Sequence, residues 1–313
     1  MRAPIFVLLV FGACAPWSST GATSGPSIET CACETTTLAE QDGFPIAFGT
    51  DDANVYWSSP SRSFMSPPIS AVAKDGGIAT AAPGSGYQVT GTIVADTSAL
   101  YAPCESNLSG LDRFPKDGGP MTDLAPGQVV SEVRLDATAD VFWAGGGGIW
   151  KKPPGHPAVQ VVTDDVITFA IDAAGIYWWG LGREIHSTVT PTIASAEVPL
   201  GGLAADGAAL YWLDSNAQTV NVAPHGGSPS VLLNGLQQPS AIALDDTFVY
   251  AVGVFEQHYR VVIRVPKSGG PPEVLYVGGD LSGLAVDAAA AYTTDTRTDS
   301  ANMTMYVVRI AKP

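Results

Sequence analysis

One motif returns seven times along this chain: a short apolar run ending in Asp, followed five or six residues later by an aromatic. The pairs are Asp51/Tyr56, Asp96/Tyr101, Asp136/Phe142, Asp172/Tyr177, Asp206/Tyr211, Asp245/Tyr250 and Asp287/Tyr292, and successive aromatics lie 45, 41, 35, 34, 39 and 42 residues apart. A unit of that length cannot bury a hydrophobic face by itself, so each copy must pack against its neighbours.

The sixth copy shows what the unit contains. Ser240–Asp245, Phe248–Ala251, Val261–Pro266 and Glu273–Tyr276 are four short runs rich in β-branched and aromatic residues, each bounded by turn residues. Asp245 suits the first turn because its carboxylate can accept backbone N–H bonds two residues on. Lys267-Ser268-Gly269-Gly270 suits the turn between the third and fourth runs, since glycine supplies the positive φ of a tight hairpin. The same turn recurs as Lys74-Asp75-Gly76-Gly77, Lys116-Asp117-Gly118-Gly119 and His225-Gly226-Gly227. Seven four-stranded units predict an all-β fold, a seven-bladed β-propeller over residues 35–313, closed into one domain.

The seventh copy has only three strands, around Gly283–Val286, Ala291–Thr294 and Met303–Ile310. Thr35–Ala39 precedes the first copy and aligns with fourth-strand segments, so this N-terminal strand is expected to complete the last blade and cover its open edge.

Seven aspartates in register invite a calcium reading. Each stands alone beside a turn, however, and calcium needs six to eight converging oxygens, so they are read as turn formers. The aromatic column is read as packing between blades. Trp57, Trp143, Trp178 and Trp212 follow the aromatic directly and point to the opposite strand face.

Tyr211-Trp212-Leu213-Asp214 resembles the Tyr-Trp-Thr-Asp motif of low-density-lipoprotein-receptor-type propellers, and Leu284-Ala285-Val286-Asp287 and Asn54-Val55-Tyr56-Trp57 are similar to bacterial secreted relatives of those repeats and to the broader NHL class. The resemblance covers about residues 35–313. It implies a propeller that presents loops to a partner, and it carries over no catalytic residue.

The N-terminus reads as an export signal: Arg2, an apolar Ile5–Phe11 too short to span a bilayer, then Gly12-Ala13. Phe11-Gly12-Ala13-Cys14 resembles a bacterial lipobox, which would end the signal at residue 13 and acylate Cys14; the competing cut follows Ala22 and releases a soluble protein. Residues 14–34 are expected to be a flexible tether. The expected location is accordingly an envelope lipoprotein, on the outer membrane or in the periplasm, or a secreted protein. Cys31, Cys33 and Cys104 lack a second pair or nearby His that would complete a zinc site. Neither a metal nor a cofactor is expected. A formal charge of −15 without any basic cluster argues against nucleic acid and against an anionic membrane surface; membrane contact is expected only through the lipid anchor, and a monomer is expected.

The distance from anchor aromatic to third-strand turn measures the second-to-third loop. It is 20, 17, 19 and 20 residues in copies one, two, six and seven, against 13, 14 and 15 in three, four and five. Ring closure makes the longer four neighbours. Their arc, with Arg62, Phe64, Glu105, Asn107, Phe255, Glu256, His258, Tyr259 and Arg297, mixes aromatic and polar groups suited to a protein or glycan partner. Asn107-Leu108-Ser109 and Asn302-Met303-Thr304 also match the N-glycosylation pattern. The four histidines do not converge in the repeat alignment: His156 and His225 fall in third-to-fourth turns, His186 on an outer strand, and His258 alone on the long-loop side. No Gly-x-Ser-x-Gly elbow occurs. A non-catalytic binding propeller is the leading expectation, with a hydrolase or lyase acting at the channel mouth through groups such as Glu105, Glu256 and His258 as the alternative.

Overall fold

The computed structural model describes residues 29–30, 33–59, 69–83, 89–104, 110–190, 192–256, 259–298 and 302–313. The export signal, both cleavage sites and Cys14 lie outside the described residues, as do residues 15–28 of the expected tether. No helix occurs among the described residues, and the strands form seven sheets, antiparallel but for two short parallel pairings, arranged as a seven-bladed propeller.

In the sixth blade the strands run outward from the axis as Gln237–Leu244, Phe248–Phe255, Tyr259–Pro266 and Glu273–Gly278. The seventh contains Asp280–Val286, Ala290–Thr298 and Met303–Ala311, and its outermost strand is Thr35–Asp42. Thr35 stands opposite Ile310 and Asp42 opposite Thr304. The N-terminal strand therefore closes the ring, three residues longer than the apolar pattern alone marks. Leu38 explains its hold: it is buried against the core that contains Trp57, Met305 and Val307. Glu29–Thr30 adds a short parallel pairing to the outer strand of blade six.

Seven hydrophobic clusters coincide with the seven junctions between blades. Each anchor aromatic packs against the next blade: Tyr211 lies with Val249, Val261 and Ile263 of blade six, and Tyr292 with Val55 and Val72 of blade one. The tryptophan after the anchor packs against the preceding blade, as Trp212 does on Tyr177 and Ile185. Adjacent residues on one strand thus face opposite neighbours, which is the strand periodicity put to structural use. Burial of roughly 150–250 Å² per ring at about 25 cal/mol/Å² contributes several kcal/mol each before entropy is subtracted. The indole N–H groups are also satisfied, Trp57 by Gln41 at 2.8 Å and Trp143 by Gln128 at 3.1 Å.

Because the strands alternate in direction, the first-to-second and third-to-fourth turns share one face of the ring, here the turn face. The second-to-third hairpins and the connections between blades share the other, the hairpin face. One irregularity marks the axis. The inner segment of blade two is broken, so that Gly91–Thr92 pairs in parallel with Ala47–Phe48 before Val94–Ala95 joins its own blade. Gly49 permits this approach, since a Cβ there would lie 1.8 Å from the Ile93 carbonyl oxygen.

Candidate functional site

On the turn face, six of the seven anchor aspartates do more than form their turns. Asp245 Oδ1 accepts the N–H groups of Thr247 and Phe248 at 2.8 and 2.7 Å. Its Oδ2 accepts the Tyr250 hydroxyl at 2.6 Å, and also Lys312 Nζ of the next blade at 2.6 Å. Lys312 lies 5.2 Å from the centroid of the Tyr250 ring, so the cation meets both the carboxylate and the ring. Lys74 does the same to Asp287 and Tyr292, Lys116 to Asp51 and Tyr56, and Lys267 to Asp206 and Tyr211. We call this arrangement a latch, because it fastens each blade to the one before it.

At the junction of blades four and five a histidine takes the place of lysine. His225 Nε2 faces Asp172 Oδ2 at 2.8 Å and the Asp206 carbonyl at 2.9 Å. Both are acceptors, so Nε2 carries the proton and Nδ1 accepts the Tyr177 hydroxyl at 3.0 Å. The His225 and Tyr177 rings are stacked at 5.5 Å. Among the described residues, no serine, threonine or cysteine side chain bonds this His–Asp pair. The neighbouring Ser187 hydroxyl accepts the N–H groups of Val189 and Thr190 and donates to the Thr190 carbonyl. His186, expected on an outer strand, sits instead on the third strand of blade four, stacked on Trp178.

Two consecutive junctions lack the bridging cation. Asp96 retains its Tyr101 partner at 2.8 Å, but Pro154 occupies the turn position that carries lysine elsewhere. In blade three Phe142 has no hydroxyl, and Lys151 of the same blade covers its ring and pairs with Asp140.

The latches set the electrostatics of this face. Burial alone would raise the carboxyl pKa of Asp287, but hydrogen bonds from Lys74, from the N–H groups of Ala289 and Ala290 and from Tyr292 outweigh it and bring the value from 3.8 to about 2. Asp51, Asp206 and Asp245 are lowered by the same balance. Burial and then the partner carboxylate push the phenols of Tyr292 and Tyr211 up to about 12. Carboxylates held ionised and phenols held neutral are structural groups at neutral pH, poorly placed to exchange protons with a substrate.

Between the inner strands lies an axial cavity of about 450 Å³, walled by residues such as Phe48, Ile93, Leu200 and Ile242. Arg134 is the one charged side chain among its described lining residues. That arginine is committed to Glu132, which is buried and also accepts the Thr168 hydroxyl and the Phe169 N–H. The cavity wall thus holds an ion pair whose carboxylate is fully engaged, while the buried Arg134 Nε has no partner among the described residues.

The hairpin face is uneven. The second and third strands have eight residues each in blade six and nine in blade seven, against five and four in blade three and four each in blade four. The second strands begin just after the anchor turn and the third strands end on that same face, so the three to five extra residues lengthen blades six and seven by roughly 10–17 Å at about 3.3 Å per residue. Much of the length expected there as loop is therefore strand, while the corresponding segments of blades one and two, residues 60–68 and 105–109, lie outside the described residues.

The structure gathers Phe255, Glu256 and Tyr259 at the tip of blade six, where Phe255 pairs with Tyr259. Tyr259 is 60% exposed, Glu256 is exposed, and Phe255 is half-buried against the core of its own blade. Arg297 stands on the neighbouring hairpin, but its guanidinium is already engaged. It holds the buried Asp295 at 2.7 Å, donates to the Tyr276 hydroxyl at 3.0 Å and covers the Tyr306 ring. Since Tyr276 belongs to blade six, Arg297 helps clasp the two raised blades together. Arg62, Phe64, Glu105, Asn107 and His258 lie outside the described residues, as does the first glycosylation pattern. Phe44 and Met303, absent from the expected set, belong to the same face: both are substantially exposed, and the Gly43 N–H bonds the Met303 carbonyl at 2.8 Å. Gly43-Phe44-Pro45, a turn sequence enclosing an aromatic, was their legible signal. Cys33 is disulfide-bonded and Cys104 is a buried free thiol.

No family model and no curated protein sequence matches the chain. Similarity appears among solved structures. Virginiamycin B lyase from Staphylococcus aureus superposes with a TM-score of 0.63 at 12% identity, covering 90% of this chain and 99% of that one. A streptogramin B lyase gives 0.63 at 12% identity, covering 89% and 97%. YCF48 bound to a D1 peptide gives 0.60 at 9% identity, covering 93% and 100%. At these identities the likeness is one of architecture: the fold hosts enzymes and binding proteins alike.

Proposed function

We propose that this chain is a non-catalytic recognition propeller that takes a protein or glycan partner on its hairpin face. The observation that carries the reading is the length of the second and third strands of blades six and seven, the longest such pairs among the described residues, which lifts Tyr259, Glu256 and Met303, with Phe44 beside Met303, on the hairpin face. An exposed tyrosine among adaptable polar groups is the usual composition of a recognition surface. The described turn-face carboxylates and the Arg134–Glu132 pair are occupied in holding the ring together, which leaves chemistry poorly supplied there. Binding of a peptide by YCF48 supports the capacity of the architecture for such a role. The Tyr211-Trp212-Leu213-Asp214 motif supports kinship with receptor-type and NHL-like repeats. A disulfide at Cys33 supports export to an oxidising compartment, with Cys14 as lipid anchor or with release after Ala22.

The test is cross-linking with mass spectrometry on the exported protein in its native envelope, comparing wild type with the double variant Phe64→Ala, Tyr259→Ala. Phe255 is left intact because it packs into its blade. A protein or glycan captured by wild type and lost in the variant supports the reading. Identical captures would remove the hairpin face from consideration, and turnover of a small substrate unaffected by the variant would favour the lyase or hydrolase alternative.

A further inference from the structure

At the junction of blades two and three the latching cation is missing, and a cavity takes its place. Four third strands end in a tight turn in which the fourth residue's N–H bonds the first residue's carbonyl: Ala73–Gly76, Pro115–Gly118, Pro224–Gly227 and Pro266–Gly269. The second residue of each is the latch cation, Lys74, Lys116, His225 or Lys267. Blade three makes the same turn over Pro153–His156, and its second residue is Pro154. With no side-chain cation there, a space of about 320 Å³ remains between the turn and Tyr101. That volume lies at the lower end of the range in which small-molecule sites are found.

The lining divides by chemistry. Leu124, Val141 and Pro153 supply apolar wall, while Arg113 and Lys152 supply two cations. In this acidic chain ten of the thirteen described lysines and arginines are paired with a carboxylate, and of the three without a described carboxylate partner, Arg113, Lys152 and Arg309, two line this one cavity. Arg113 donates to the Ser98 hydroxyl at 3.1 Å and also meets the Tyr101 hydroxyl, and Lys152 donates to the His156 carbonyl at 2.6 Å. A guanidinium has five donors and an ammonium three, so both retain donors beyond these bonds. Asp96, the acid of this junction, is occupied by Tyr101, Ser98 and Ala99 and does not line the cavity.

We propose that this interblade cavity binds a small monocarboxylate with an apolar body. The carboxylate lies between Arg113 and Lys152, where charge-assisted hydrogen bonds are strongest, and the body lies against Leu124, Val141 and Pro153. The site is on the turn face and independent of the partner surface above.

The probe is benzoate, titrated into the full exported chain by calorimetry, with benzyl alcohol and benzylamine as the uncharged and cationic counterparts. Benzoate is expected to bind at least tenfold more tightly than either. Lys152→Gln, which gives up only a bond to a turn carbonyl, and Arg113→Gln are each expected to weaken it tenfold or more with little change in melting temperature. Pro154→Lys, which restores the repeat's own latch residue, is expected to fill the space and abolish binding. Failure of benzoate to bind, equal binding of benzyl alcohol, or affinity unchanged in Lys152→Gln and Pro154→Lys would each overturn the proposal. Preferential binding of benzylamine would overturn it too, because a site built on Arg113 and Lys152 must repel a cation.

Discussion

Lys312 Nζ lies 2.6 Å from Asp245 Oδ2, and through that contact the seventh blade is fastened to the sixth. The side chains are 12% and 20% exposed, so the pair is shielded though not sealed. Removing one partner leaves the other without its counter-charge, which for a hydrogen-bonded charge costs about 2 kcal/mol. Lys312→Met is therefore expected to lower the melting temperature by a few degrees. The double variant with Asp245→Asn should lose less than the sum of the single losses, because the two groups share one interaction. Strict additivity in that cycle would mean that the contact contributes nothing as a pair.

The latches also predict how the ring responds to acid. The pKa of Asp287 is 3.8 unperturbed and about 2 when folded, and Asp51, Asp206 and Asp245 move the same way. A depressed folded value means that the stabilisation is fully present above the unfolded pKa and is lost as pH falls through the folded one. Melting temperature is therefore expected to hold down to about pH 4 and to fall between about pH 4 and 2. At the alkaline end Tyr292 and Tyr211, raised to about 12, contribute stability below pH 10 that disappears as pH rises toward 12. A flat profile from pH 5 to 2 in a melting series would count against the latches as stabilising elements.

How much of this could be read beforehand differs from residue to residue. Asp245 and Tyr250 are legible as a repeat because turn chemistry and blade packing demand particular residue types at fixed spacing, and the same reasoning places Thr35–Ala39 on the last blade, three residues short of the strand's end at Asp42. Lys312 was not legible as a latch. Its partner lies 67 residues away on another blade, and no local pattern marks a contact between repeats. The lysines of Lys74-Asp75-Gly76-Gly77 and its copies were nevertheless in view, and their recurrence one residue after the strand end was the available signal. Arg297 has a structural duty that the sequence does not mark. An arginine near a hairpin tip reads as a ligand contact, whereas burial of Asp295 beside it turns most of its donors inward. The height of blades six and seven was legible only as length, because spacing does not tell extended strand from loop.

Gly49 offers a test of the axis. Its φ is unremarkable, so the glycine is required for space rather than conformation: a Cβ there would meet the Ile93 carbonyl oxygen at 1.8 Å and its carbon at 2.7 Å. Those are backbone atoms and cannot swing aside. Gly49→Ala must push the inner segment of blade two off blade one and break the parallel pairing of Ala47 and Phe48 with Gly91 and Thr92. Overpacking of this kind costs roughly 1–3 kcal/mol or more. Gly118→Ala serves as contrast: nothing lies within 4 Å of its Cβ position, and the cost there comes from its φ of +80°. Hydrogen exchange is expected to show lost protection at Ile93 and Gly91 in Gly49→Ala and none in Gly118→Ala. Equal protection in both variants would show that the inner segment is not held by this contact.

The closing strand carries the most demanding prediction. Thr35–Asp42 meets Met303–Ala311 through seven paired residues and brings Leu38 into the core between blades seven and one. Without it, Met303–Ala311 becomes an exposed, strongly apolar edge, the feature that pairs with other chains. Deletion of residues 34–40 also removes the order that holds Gln41, the acceptor for the Trp57 indole. The truncated chain is therefore expected to elute as oligomers and to melt well below wild type. A synthetic peptide of residues 33–42 added during refolding should restore the monomer, because the missing element is a strand and not a covalent link. A truncated protein that stays monomeric with an unchanged melting temperature would mean that three strands suffice for the last blade. Rescue by a peptide of the same composition in scrambled order would show that edge covering needs neither the register nor Leu38.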